Sequence, residues 1–315
     1  SVATTTKHIP GDGAGESGRE SQTDIGKYAV YPGGNEEGTY KPFLSALDSA
    51  AVMLSYSIGV AADGSPAFGD MVATAYDKEK VALLRDAGYD GVIMTDWRVT
   101  HNIEEFGGPW GKEKASVEER HYAVLQSDVD MYGGNNDIAP LKAAYDLWQA
   151  DFESGKNEID ADTRARQSGE RIVRMIINNG AYENPYVDLE NSKTIVGSED
   201  KIEAGYNAQL DSVVLLKNEN NAIQCGVAKD SYADKTVYIP QSYDLGFDNP
   251  MLGTEYRQGH TFSLELAEKY FGKVVTDEVE LDGDGKVVKY TAPDLSDVDL
   301  VLAGIKPPHQ GGLIS

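Results

Sequence analysis

The chain alternates short apolar runs with longer segments in which apolar residues recur every three or four positions. That rhythm predicts βα units built on a parallel sheet. In the first half, strands are expected at residues 2–7, 51–55, 91–95 and 129–132. A helical stretch over 78–87 separates the second from the third, with Gly88 placed to close it. Two further helical patterns, 138–155 and 163–178, follow the fourth strand, and the second ends in Asn179-Gly180. Residues 181–200 lose the apolar period and contain Glu183-Asn184-Pro185-Tyr186, which reads as an inter-domain linker. A second α/β rhythm then begins, with a helix over 201–210, a strand over 213–217 and a turn at Asn218-Glu219-Asn220-Asn221. Beyond it, strands are expected at 236–240 and 300–305, a helix at 262–271 and a hairpin over 279–290.

Composition narrows the choice of partner. The 315 residues include 52 acidic and 28 basic side chains, a net charge of −24. A field of that sign repels phosphate backbones and anionic lipid, so neither nucleic acid nor a membrane surface is expected. No run of eighteen apolar residues is present, which argues against a helical membrane span. A neutral substrate suits the charge. The single cysteine, Cys225, cannot close an intrachain disulfide, so a cytoplasmic protein and a disulfide-free exported one both fit.

Three strand ends carry candidate chemistry. The first is Gly88-Tyr89-Asp90-Gly91-Val92-Ile93-Met94-Thr95-Asp96-Trp97, where an apolar strand stops abruptly at Asp96-Trp97. A carboxylate at the C-terminal end of a barrel strand sits on the face where such folds place their active sites. The neighbouring indole offers a flat apolar platform. On spacing alone, the cap of a following helix is the commoner reading of Asp96. The second strand end, Lys7-His8-Ile9-Pro10-Gly11-Asp12-Gly13, offers two hydrogen-bond donors before a Gly/Pro turn. The third, Val52-Met53-Leu54-Ser55-Tyr56-Ser57, ends in a tyrosine that could simply be a packed rim residue. A fourth segment, Asp282-Gly283-Asp284-Gly285, resembles the start of a calcium loop but lacks the glutamate at the twelfth position, so a hairpin turn is expected there.

Taken together, the Lys7–Gly13, Met53–Tyr56 and Gly88–Trp97 motifs, with Asp128-Val129-Asp130-Met131, resemble glycoside hydrolase family 3 in order and spacing. Gly180-Ala181-Tyr182-Glu183-Asn184-Pro185-Tyr186-Val187-Asp188 resembles the segment that ends the family's barrel. Ser212-Val213-Val214-Leu215-Leu216-Lys217-Asn218-Glu219 resembles the entry to its second domain. The resemblance implies an α/β fold, the C-terminal part of a (β/α)8 (TIM-like) barrel followed by part of an α/β sandwich domain. Residues 1–180 would be the partial barrel, 181–200 the linker and 201–315 the beginning of the sandwich. It further implies a retaining, exo-acting β-glucosidase that cleaves terminal β-linked glucose from an oligosaccharide or β-glycoside by double displacement. Asp96 would be the nucleophile. Lys7, His8, Tyr56 and Trp97 would line the sugar subsite, and no metal or organic cofactor is implied. A periplasmic or extracellular location is favoured over a cytoplasmic one.

The chain also departs from the family pattern. The acid/base of the β-glucosidase branch is a glutamate on a loop of the second domain, whereas Lys306-Pro307-Pro308-His309-Gln310-Gly311-Gly312 contains no carboxylate. No acid/base is therefore assigned, although Glu219 and Glu255 are open to the role. The β-N-acetylglucosaminidase branch carries an Asp–His pair after the Lys-His motif, and Asp12-Gly13-Ala14-Gly15-Glu16 lacks the histidine. Four strand candidates precede the linker where a barrel needs eight, so another chain, a second copy or further residues of the same polypeptide are expected to complete it. A non-catalytic carbohydrate-binding relative, or a barrel lyase or aldolase using Lys7 as a Schiff-base amine, remain as alternatives.

Overall fold

The computed structural model describes residues 2–305, except Phe106 and residues 224–226, 245–247, 250–252 and 255–256. Cys225, Glu255 and the 306–312 segment thus lie outside the described residues. The chain is α/β and divides after Asp188 into two units. No helix among the described residues is long and apolar enough to cross a membrane.

The first unit contains strands β1 (Thr5–Ile9), β2 (Tyr28–Tyr31), β3 (Ala51–Leu54), β4 (Ile58–Ala61) and β5 (Val92–Met94). Its helices are α1 (Glu37–Leu44), α2 (Lys78–Asp86), α3 (Val117–Gln126), α4 (Ile138–Glu153) and α5 (Ala161–Asn178). One parallel sheet runs β1-β3-β5, with Thr6 opposite Val52 and Val52 opposite Ile93. Every residue of β3 and β5 is buried, as expected of parallel strands covered on both faces. Ile9, Val52, Leu54, Leu84, Ile93, Trp110 and Val124 pack on one side, and Met53, Val92 and Met94 join Met131, Ile172 and Met175 on the other. Burying each large apolar side chain stabilises the unit by roughly 1.5–3 kcal/mol. Because all three strands run the same way, residues 8, 55–56 and 95–97 emerge beside one another at their C-terminal ends.

Several expected elements shift. The first strand is Thr5–Ile9 rather than 2–7, because pairing with β3 sets its register and Val2 stays exposed. Residues 129–132 make only a single parallel bridge, Met131 to Met94. They are bounded by left-handed backbone at Asp128 and Gly134, which leaves no room for a longer strand. The parallel pair β2–β4 and the helices α1 and α3 have no counterpart in the expectations from sequence. Helix α2 matches its expected span closely. Asp77 caps its start by accepting from the Glu79 and Lys80 amides, and Gly88 follows its end at φ +90°.

The second unit begins at Leu189. Residues 181–200 are not devoid of structure, since Leu189–Ile195 and the start of Glu199–Asp211 are helical. The expected strand at 213–217 is absent. Val213 and Val214 are 77% and 73% exposed and pair with no strand among the described residues, and β-branched residues gain little from extension without a packed face. Thr236–Tyr238 is the centre of a parallel sheet with Lys273–Val275 and Leu300–Val301. Its small core holds Val237, Ile239 and Ala267. Glu278–Leu281 pairs antiparallel with Val287–Thr291, and the Asp282 carboxylate accepts from the Asp284 and Lys286 amides in the turn. That segment is a hairpin, as expected.

Candidate active site

Asp96 follows β5 with its residue 8% exposed. One carboxylate oxygen accepts from the Trp97 amide at 2.6 Å, and the other lies 3.2 Å from His8 Nε2. Burial raises the Asp96 carboxyl above its usual range, against the Trp97 amide and the positive charges of His8 and Lys7. The far side of the His8 ring meets Asp12, with Nδ1 2.5 Å from Oδ2. Asp12 holds His8 above the ordinary histidine range, opposed by burial and by Lys7. Lys7 itself is exposed, and its charge acts on both His8 and Asp96. The strand-end residues expected to act together from sequence are thus neighbours.

Tyr56 is 4% exposed, and its hydroxyl donates to the Trp97 carbonyl. Burial, and then the Asp96 charge, hold the phenol far above its ordinary range, so it remains a neutral donor. Trp97 is half exposed, at 49%. Its ring rests on Gly133 and Gly134; a Cβ at 134 would lie 2.7 Å from Trp97 Cε3. The loop bearing Asp96 and Trp97 is stitched to its neighbour at several points. Thr95 Oγ1 donates to the Asp96 carbonyl and accepts from the Gly133 amide, and the Arg98 amide donates to the Gly133 carbonyl. Farther along, the Tyr76 hydroxyl donates to the Val99 carbonyl at 2.8 Å.

Asp12, Thr95 and the Gly133-Gly134 pair are the parts of this site that sequence reasoning did not single out. Asp12 was legible as the fourth residue after His8, but only folding reveals that its carboxylate turns back on the ring. Glu219, one of the acid/base options, sits exposed on a turn of the second unit and pairs with Lys217 at 3.1 Å. Among the described residues, no group of three or more His, Cys, Asp or Glu side chains could hold a metal ion.

A cavity of about 650 Å³ lies elsewhere in the first unit, lined by Val129, Met131, Tyr132, Ile138, Leu141 and Ile172 among others. Concavity alone would make it the leading candidate site. Its walls are chiefly apolar and do not include Asp96, so the chemistry points to the strand ends instead.

The model of the family described as the glycosyl hydrolase family 3 N terminal domain matches residues 1–173. The chain belongs to glycosyl hydrolase family 3. A probable beta-glucosidase C of Aspergillus flavus is 32% identical over 232 residues, covering 71% of this chain and 34% of that protein. A periplasmic beta-glucosidase/beta-xylosidase of Dickeya chrysanthemi is 31% identical over 240 residues, covering 70% and 35%. The family 3 chain therefore spans about a third of the length of these curated relatives. Among solved structures, a beta-glucosidase from Listeria innocua in complex with glucose aligns with TM-score 0.57 at 18% identity, covering 90% of this chain and 36% of that one. A b-glucosidase from Erythrobacter marinus aligns with TM-score 0.55 at 23% identity, covering 76% and 28%. These last two likenesses are of fold.

Proposed function

We propose that this family 3 chain carries the nucleophile side of a retaining β-glucosidase. The observation that carries the reading is the buried Asp96 carboxylate at the end of β5, 3.2 Å from His8 Nε2 and flanked by a half-exposed indole. Asp96 attacks the anomeric carbon of a terminal β-linked glucose, forming a covalent glycosyl ester as the bond to the leaving oxygen breaks. A second carboxyl group, about 5–5.5 Å from the first in such enzymes, protonates the leaving oxygen and then activates water. No residue is assigned to that role. Lys7 donates to sugar hydroxyls, and His8 does so when the arriving sugar takes its Nε2–H from Asp96; Trp97 stacks on the ring, and Tyr56 lines the same subsite while its hydroxyl holds the Trp97 backbone carbonyl. Binding energy from those hydroxyls favours the distorted, oxocarbenium-like transition state over the relaxed sugar.

In this reading, residues 1–180 are the C-terminal part of a (β/α)8 barrel, 181–200 a connecting segment and 201–315 the start of an α/β sandwich. The remaining barrel strands come from another chain, a second copy or further residues of the same polypeptide. The β-glucosidase names of the Aspergillus and Dickeya relatives support the substrate class. The periplasmic location in the name of the Dickeya relative supports a periplasmic or extracellular site.

A 2-deoxy-2-fluoro-glucoside with a good leaving group tests the assignment, because the fluorine slows hydrolysis of the ester. Peptide mass spectrometry should find one added fluoroglucosyl group on the fragment containing Asp96. Turnover of the glucoside with the adduct on a different carboxylate would overturn it.

A further inference from the structure

The His8 imidazole is bracketed by two carboxylates. Asp12 Oδ2 lies 2.5 Å from Nδ1, and Asp96 Oδ2 lies 3.2 Å from Nε2. The other Asp12 oxygen accepts from the Ser55 hydroxyl at 2.7 Å. Ser55 Oγ accepts from the Ser57 amide at 3.1 Å, and among the acceptors within reach of its own proton, Asp12 Oδ1 is nearer than Ser57 Oγ at 3.0 Å. An ionised Asp12 can accept at both oxygens, from the Ser55 hydroxyl at one and from the ring at the other. Ionised carboxylates donate nothing, so with Asp96 in the ionised form its role as nucleophile requires, each ring nitrogen carries its own hydrogen.

We propose that Asp12 is a positioning residue of the reaction, fixing His8 as a doubly protonated ring whose Nε2–H is turned onto the Asp96 carboxylate. The inference rests on the reading of Asp96 as nucleophile, and it adds a residue that touches neither the sugar nor the reacting atoms. Its physical content is a charge relay without proton transfer. Asp12 supplies the negative charge that keeps the imidazolium in place, and the imidazolium offsets the cost of keeping Asp96 ionised where it is largely withdrawn from water. The charged groups that act on His8 are Asp12, Asp96 and Lys7. The two carboxylates favour the cation and Lys7 opposes it. When Asp96 becomes an ester its charge is lost, and Asp12 is the anion that still holds the ring.

The test reads His8 directly. The chain is labelled with ¹⁵N-histidine and its imidazole nitrogens are followed through pH by two-bond proton–nitrogen correlation, the five histidines being separated by single replacement. In the unmodified chain, both His8 nitrogens should keep imidazolium shifts at pH values where a free histidine is neutral. Asp12→Asn preserves shape but removes the charge, and should move the His8 titration to lower pH; Asp12→Glu should recover part of the difference. In the glucoside assay, Asp12→Asn should lower kcat/KM by at least about tenfold, with the alkaline limb of the pH–rate profile moving in the same direction as His8. A His8 ring that is neutral at pH 7 in the unmodified chain overturns the proposal, and so does a titration indifferent to Asp12→Asn. His8 titrating as expected in a chain that forms no glycosyl adduct would sustain the role of Asp12 and sink the glucosidase reading, so the two failures are distinguishable.

Discussion

Arg85 and Asp130 form a buried ion pair against the backbone of β5, with Arg85 Nη2 2.6 Å from Asp130 Oδ2. The same oxygen accepts from the Ile93 amide, and the other takes hydrogen bonds from the Ser168 hydroxyl and Arg171 Nη1. One carboxylate thus joins α2, β5 and α5. Removing it leaves two guanidinium groups, 14% and 16% exposed, without their buried partner. Asp130→Ala should therefore destabilise the first unit by about 3–5 kcal/mol, the usual cost of breaking a buried pair from one side. Denaturant unfolding followed by amide exchange at Ile93 measures this; a loss below about 1 kcal/mol would refute the role of the network.

Asp96→Asn should abolish glucoside turnover, by roughly a thousandfold or more, because an amide cannot form the ester. Its effect on stability has a defined sign. Burial raises the folded carboxyl, so the protonated form favours folding, and that contribution is lost as pH rises through the folded pKa. Asparagine does not ionise and escapes this loss. The melting temperature of the variant relative to the unmodified chain should therefore rise between about pH 3 and pH 7. A difference that stays flat or falls over that interval would contradict the burial argument.

Gly134 lies at φ +59°, and a Cβ there would meet Trp97 Cε3 at 2.7 Å. Gly134→Ala should tilt the indole and raise KM for β-glucosides by about tenfold, with a smaller change in kcat. Tryptophan emission would follow the ring. An unchanged KM alongside an unchanged emission maximum would mean that the ring does not rest on this backbone.

His121 is wholly buried, with Nδ1 2.7 Å from the Val117 carbonyl and Nε2 2.8 Å from Asn135 Nδ2. The carbonyl can only accept, so Nδ1 carries the hydrogen and Nε2 accepts from Asn135. Burial lowers the His121 pKa, and also that of His101 nearby. A folded value below the unfolded one means stability is full above the unfolded pKa, near 6.5, and is lost as pH falls towards the folded one. Thermal unfolding between pH 7 and pH 5 should show this acid loss, and His121→Gln should reduce it. An equally acid-sensitive variant would assign the loss to other groups.

The βα rhythm, the three parallel strands and the helices α2, α4 and α5 could be read from the chain because their apolar periods are long or their caps conventional. Helix α3 was not read from the sequence, even though its start carries a local signal. Ser116 and Glu119 form a capping box, but the helix behind it runs only from Val117 to Gln126, a short apolar period. The pair β2–β4 is four residues on each side and is fixed by pairing between segments some thirty positions apart, which local pattern does not encode. At the site, Lys7, His8, Asp96 and Trp97 were legible as strand-end chemistry. The turn of Asp12 back onto His8, and the glycine bed under Trp97, depend on contacts that exist only after the loops have met.

That glycine bed also bears on how such a site could change over evolutionary time. The inner face of Trp97 touches backbone at 133 and 134, so variation in neighbouring side chains has little purchase on the ring from that direction. New sugar preferences would have to arise on its open face or in the loops above it. Libraries that diversify those positions while holding 133 and 134 as glycine should keep a larger share of folded members than libraries that vary all of them.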